Sequence, residues 1–119
     1  KEKAKEVMEG FLEKYPKIDA VMCGNDRAAL GALEAIRESG RDGIRIYGVD
    51  GSPEVKQEIA KTDSPMTATG AQSPIRIGKE AAEIGIAILD GENFETTTYE
   101  DTFLIDKGNV EMYGTDGWQ

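Results

Sequence analysis

Histidine is absent from the 119 residues, which excludes a histidine-based catalytic triad and a histidine-rich zinc site. Cysteine is nearly absent too. The single Cys23 rules out a disulfide within the chain, and its place inside an apolar run marks it as a buried, inert thiol. Basic side chains are few: 14 Lys and Arg stand against 23 Asp and Glu, for a net charge of −9. A nucleic acid duplex or an anionic membrane surface needs a basic footprint, so neither is expected as a partner. The acidity itself speaks only for solubility. No run approaches the roughly 18 apolar residues of a membrane span. No secretory leader pattern opens the sequence, which begins on Lys1 inside a helical pattern, as expected of a piece of a longer protein. The length allows one compact unit with a modest core.

The rest of the chain alternates two periodicities. Ala4, Val7, Met8, Phe11, Leu12 and Tyr15 recur at helical spacing over residues 2–15, and Pro16 ends that helix. "IDAVMCG" (18–24) is a short apolar run between Pro16 and Gly24, a buried strand. "DRAALGALEAIRESG" (26–40) is a helix that stops at Gly40, where a left-handed cap is expected. "IRIYGV" (44–49) is the second strand. Ser52-Pro53 and Ser73-Pro74 both write a helix start: a hydroxyl cap, then a proline where no N–H is needed. Between them lies a weaker strand, "MTATGA" (66–71). The helix after Ser73 carries Ile75, Ile77, Ala81, Ala82, Ile84, Ile86, Ile88 and Leu89, apolar on most of its faces, which predicts burial. "TTTYEDTFLI" (96–105) reads as a fourth strand. This order predicts an α/β fold, three layers αβα, with a mostly parallel sheet.

Ligands of open parallel sheets bind beyond the carboxyl ends of the strands. At those ends stand Asn25, with Asp26 beside it, then Asp50, then Gln72. Asn and Gln each donate and accept; Asp accepts strongly. Such a set suits a polyhydroxylated ligand. Each residue also has a plainer role open to it. Asn25 or Asp26 could cap the following helix, Asp50 could shape an Asx-turn into Ser52, and Gln72 could be an ordinary loop residue. Their shared place at three successive strand ends favours a site. Other chemistries lack their motifs. There is no Gly-x-x-x-x-Gly-Lys-Ser/Thr phosphate loop and no Gly-x-Gly-x-x-Gly fingerprint. Asp19, Asp26 and Asp50 do not make the paired acids and late lysine of a magnesium-binding receiver. No metal or cofactor is therefore expected, and no enzyme activity.

"IDAVMCGNDRAALGALEAIRESG", "IRIYGVDGSPE" and "MTATGAQSP", in this order, resemble the type I periplasmic sugar-binding proteins of ABC importers. The ribose- and galactose-binding proteins belong to that group, and the effector domains of lactose-repressor-type regulators are related to it. The likeness runs at least from Ile18 to Ile105. Asp50-Gly51 followed by Ser52-Pro53, together with Ala71-Gln72, favours the transporter branch. The regulator branch is the alternative, and a doubly wound enzyme domain a more distant one. The resemblance implies that Asn25 bonds ligand hydroxyls, that Asp50 accepts from two of them, and that Gln72 lies near the last crossing between two lobes. Ribose-type members carry phenylalanine just before that aspartate. Here Val49 stands there, so the resemblance does not fix the sugar.

The resemblance also implies a division of the chain. Residues 1–72 would belong to a C-terminal lobe, 73–95 would form a helix that crosses to an N-terminal lobe, and 96–119 would return as strand and tail. It further implies an extracytoplasmic location, in a periplasm or as a surface lipoprotein, and a membrane permease as partner. In the isolated chain the crossing helix would need cover. It could fold back on its own sheet, pair with a second copy, or exchange the 73–105 segment with one.

Overall fold

The computed structural model describes all residues from Lys1 to Gln119. Helix α1 (Glu2–Lys14) leads into strand β1 (Ala20–Met22), followed by α2 (Asp26–Ser39), β2 (Arg45–Asp50), α3 (Pro53–Ala60) and β3 (Met66–Ala71). Then come α4 (Pro74–Leu89), β4 (Phe103–Asp106) and a short α5 (Val110–Tyr113). The four strands form one sheet in the order β1-β2-β3-β4. The first three are parallel, with Val21 opposite Ile46 and Gly48 opposite Thr69. The fold is α/β with a mostly parallel sheet, as expected.

Local sequence sets most of these boundaries. Asn25, Ser52 and Ser73 each accept a hydrogen bond from a backbone N–H of the following helix: Ala28 N at 2.7 Å, Val55 N at 3.4 Å and Arg76 N at 3.2 Å. Gly40 closes α2 with φ 67°, the left-handed cap. After α1 the chain is tied by Arg41. Its guanidinium donates to the carbonyls of Leu12, Tyr15 and Pro16 at 2.8–3.1 Å, satisfying a helix end that would otherwise leave its acceptors bare.

The core lies between the sheet and helices α1 to α3. It joins Met8 to Ala29, Ala32, Leu33 and Ile36 of α2, Ile46, Val55 and Ile59, and Met66 and Ile105. Alternation along the strands places Ile46 and Ile105 on this buried side. Met22, Val49 and Leu104 are exposed instead. At 25 cal/mol per Å², each fully buried aliphatic side chain contributes roughly 1.5–3 kcal/mol, so this cluster carries the stability of the unit.

Two expectations need correction. The fourth strand is not 96–105 but Phe103–Asp106, and it runs antiparallel to β3, pairing Phe103 with Ala71 and Ile105 with Thr69. The threonines before it satisfy strand propensity but have no neighbouring strand to pair with, and Tyr99 is largely in solvent. The helix after Ser73 is not buried either. No residue of α4 is buried, and Ile75, Ile86 and Leu89 are more than half exposed. The helix stands off the body of a molecule 59 Å long and only 28 × 19 Å across. Against the segment behind it, Ile84, Ile88 and Phe94 line a shallow concavity.

Glu58 on α3 accepts from Arg37 (2.8 Å), Lys61 (2.6 Å) and the Ser64 hydroxyl (3.0 Å). Burial pushes its carboxyl up, but these hydrogen bonds outweigh burial and hold it down at about 2. A lowered folded-state pKa stabilises the protein above the unfolded value and loses that contribution as pH falls through the folded one. The stability gap between the parent and Glu58→Gln should therefore be full at neutral pH and close between pH 4.5 and about 2. Urea titrations at several pH values measure it; a gap that does not depend on pH would contradict the assignment.

Candidate functional site

At the carboxyl ends of β1, β2 and β3 the backbone changes direction beside one buried carboxylate. Asp26, the first residue of α2, is 1% exposed. Its Oδ1 accepts from the Thr69 hydroxyl at 2.7 Å and its Oδ2 from Ser52 N at 2.6 Å. One side chain thus ties α2 to the loop after β2 and to β3. Gly48 makes room for it, because a Cβ there would collide with Asp26 Oδ1. Burial raises the Asp26 carboxyl above its ordinary range. The hydrogen bonds from Thr69 and Ser52 oppose that rise, and the charge of Asp50 adds to it. Asp26 does not cap α2; Asn25 does. The sequence left the two open, and Asp26 turns back across the sheet instead.

Asp50 ends β2 with φ 129°, the one non-glycine residue of the chain at positive φ. Side chains rarely adopt that conformation, and it costs on the order of 1–3 kcal/mol unless the surroundings enforce it. Here they do. Asp26 N donates to Asp50 Oδ2 at 3.3 Å, Gly51 N donates to Thr69 Oγ1 at 3.2 Å, and Gln72 N donates to Asp50 O at 3.3 Å. Gly51 follows at φ 80°, where a Cβ would lie 2.7 Å from that of Ala71. The Asx-turn left open for Asp50 is not formed by its side chain, which instead receives the N–H of Asp26 across the strand ends.

The three predicted residues share one rim. Asn25 and Asp50 are brought together through the Asp26 peptide, and Gln72 through its N–H to the Asp50 carbonyl. Asn25 uses Oδ1 to cap α2, leaving its Nδ2 donors without a partner in the chain. Asp50 Oδ1 and the Gln72 side-chain amide also make no hydrogen bond within the chain. The rim therefore offers donors, a charged acceptor and an amide that no hydrogen bond within the chain uses. No three Asp, Glu or Cys side chains converge as metal ligands would. Cys23 packs at the edge of the core, and burial raises its thiol, consistent with an inert role.

Two concavities flank the sheet, and the second reaches the rim at Asn25. One of about 630 Å³ sits at the opposite strand ends beside Arg45 and Lys107. Another of about 460 Å³ runs between α1 and β1, where Val7, Phe11 and Met22 line it. Asp50 and Gln72 line neither of these, so that part of the rim is an open surface.

Sequence reasoning missed Thr69, the bracing role of Asp26, and Gln119. The side-chain amide of Gln119 donates to the Gln72 carbonyl at 2.5 Å. Gly48 inside an otherwise apolar strand was the available signal for the first two, since a strand glycine marks a close approach. Nothing in the tail's sequence pointed to Gln119.

Removing Asp26 should leave buried donors unpaired. Asp26→Ala is expected to cost about 3 kcal/mol and Thr69→Val about 1–2 kcal/mol. The double mutant should lose less than the sum, because both changes break the same bond. Additive losses in chemical denaturation would deny the bridge.

Comparison with known proteins places this geometry in a family. Residues 1–93 match the family model described as a periplasmic binding protein domain. The ribose import binding protein of Bacillus subtilis is 45% identical over 91 residues, which is 76% of this chain and 29% of that protein. A solute-binding protein of an ABC transporter from Agrobacterium vitis, solved with bound allitol, superposes with TM-score 0.86 at 35% identity, covering 92% of this chain and 39% of its own. Another from Actinobacillus succinogenes, solved with bound D-allose, gives TM-score 0.87 at 25% identity, over 92% and 39%. The chain spans less than a third of the curated relative and about two fifths of these structures. With a family match over most of its length and the sheet, helices and order of those structures, the chain belongs to the periplasmic-binding-protein family of type I fold.

Proposed function

We propose that this chain is the C-terminal-lobe portion of an ABC importer's solute receptor and contributes Asn25, Asp50 and Gln72 to a monosaccharide site between two lobes. The observation that carries it is Asp50. An aspartate held at φ 129° by fixed bonds, with one carboxylate oxygen left over beside the unpaired Asn25 amide, is built to receive hydroxyl groups. Sugar hydroxyls donate and accept at once, and a carboxylate takes two of them with charge-assisted strength. The relatives named for ribose import or solved with allitol and D-allose support this ligand class. Val49 in place of an aromatic leaves the choice of sugar to the other lobe. The function is binding and delivery, with no bond made or broken. The receptor acts outside the cytoplasmic membrane, in a periplasm or anchored as a lipoprotein, and hands its ligand to a membrane permease.

The open rim supports a two-lobed receptor, since half a cleft is what one lobe offers. So does α4. Residues 1–72 form the lobe's parallel sheet and helices, 73–95 cross to the other lobe with Ile75, Ile77, Ile84 and Ile88 seated on it, and 96–119 return. Alone, the chain has no cover for that helix, and pairing with a second copy or exchange of the 73–105 segment would supply it.

Two measurements test this. In a two-lobed receptor carrying this chain, Asp50→Ala should weaken D-ribose or D-allose binding by about 2 kcal/mol or more, roughly 30-fold, in titration calorimetry. Unchanged affinity would refute the site. In the isolated chain, light scattering should find self-association that Ile84→Asp with Ile88→Asp abolishes. A monomer at every concentration would leave α4 without the interface role given to it.

A further inference from the structure

Gln119 lies against the backbone of two of the three site residues, Asp50 and Gln72. Its Nε2 donates to the Gln72 carbonyl at 2.5 Å and reaches the Asp50 carbonyl at 3.5 Å, while its Oε1 accepts from Lys56 Nζ at 3.0 Å. An ammonium only donates and carbonyls only accept, so these partners fix which way the amide faces. The same ammonium donates to Gly117 O at 2.7 Å, and Gln57 Nε2 donates to Thr115 O at 3.0 Å. Lys56 is fully buried beneath this tail, a costly place for a cation unless its donors are occupied. The amide also rests on Gly51, where a Cβ would come within 2.5 Å of Nε2. A side chain at that position would expel Gln119.

The orientation of a peptide carbonyl fixes ψ of its residue, and so the direction in which the neighbouring backbone carries its side chain. We propose that Gln119 is a positioning residue. Anchored by Lys56, it holds the carbonyls of Asp50 and Gln72 so that the two side chains meet the ligand already oriented. This rests on the sugar-site reading above. Preorganisation of this kind raises affinity by removing an ordering cost at binding and adds no contact to the ligand.

The test uses a two-lobed receptor carrying this chain, with D-ribose and D-allose as probes, read by calorimetry, by stopped-flow dissociation and by the melting temperature of the unliganded protein. Gln119→Glu keeps an acceptor for Lys56 but has no donor for the two carbonyls at neutral pH. Gln119→Met keeps the length with neither, and guards against carboxylate repulsion as the cause. Both should bind about tenfold more weakly, mainly through faster release. Gln119→Glu should do so with the unliganded melting temperature unchanged, whereas Lys56→Met should lose affinity and stability together. Parental affinity in both Gln119 variants overturns the inference. So does an affinity loss that appears only in step with a fall in melting temperature, which would make the residue a structural staple. Asp50→Ala separates the two claims. If the parent binds neither sugar, or Asp50→Ala binds as the parent does, the site reading fails and this inference with it. If Asp50→Ala loses binding while the Gln119 variants keep it, only the role of Gln119 fails.

Discussion

The buried carboxylate of Asp26 is the constraint on which the strand ends depend. It accepts from the loop after β2 and from the middle of β3 while sitting at the start of α2, so three elements share one charge. A carboxylate in such surroundings is expensive to desolvate, and only a full set of donors makes it tolerable. Ser52 N and Thr69 Oγ1 are those donors, and Gly48 leaves the space the carboxylate occupies. The unusual backbone of Asp50 then follows. The Asp26 N–H donates to one Asp50 oxygen and Gln72 N donates to its carbonyl, so the residue is held from both neighbouring strand ends at its unusual φ.

Stability and site are separately built. The core of α1, α2, α3 and the sheet contains no residue of α4, and the rim residues lie outside the apolar cluster. The unit can therefore hold its strand ends rigid while leaving two large surfaces uncovered: the side of the sheet bearing Met22, Val49 and Leu104, and the apolar helix α4. A rigid rim and bare flanks therefore coexist in one unit.

Much of this was legible because it is written locally. Ser-Pro pairs, Gly40 and the short apolar runs announce helix starts, a helix end and parallel strands without reference to distant residues. Asn25, Asp50 and Gln72 could be placed on one rim because strand ends in a parallel sheet share an edge. What failed was non-local. The extent of β4 depends on its pairing with β3, and the threonines at 96–98 carry propensity without a partner. The apolar residues of α4 report a surface meant for burial but not by what, so the burial expected of the helix is missing from this chain. Asp26 looked like a cap because capping is what acids at helix starts usually do. Its real partners lie 26 and 43 residues away.

The pairing of Ala71 with Phe103 has a consequence for how the chain tolerates change. Everything between them leaves and re-enters the sheet at one rung of the ladder, so the intervening segment is topologically a side loop. Its length is free to vary at little entropic cost, since closure grows only slowly with loop size. A tight reverse turn in its place would leave β3 and β4 as a simple hairpin. Lys107 already fastens that hairpin's far end by donating to the carbonyls of Lys61, Thr62 and Ser64 at 3.0–3.1 Å. The sheet and helices α1 to α3 should thus survive excision of α4 as a smaller, self-contained unit, which makes this point a natural site for insertion.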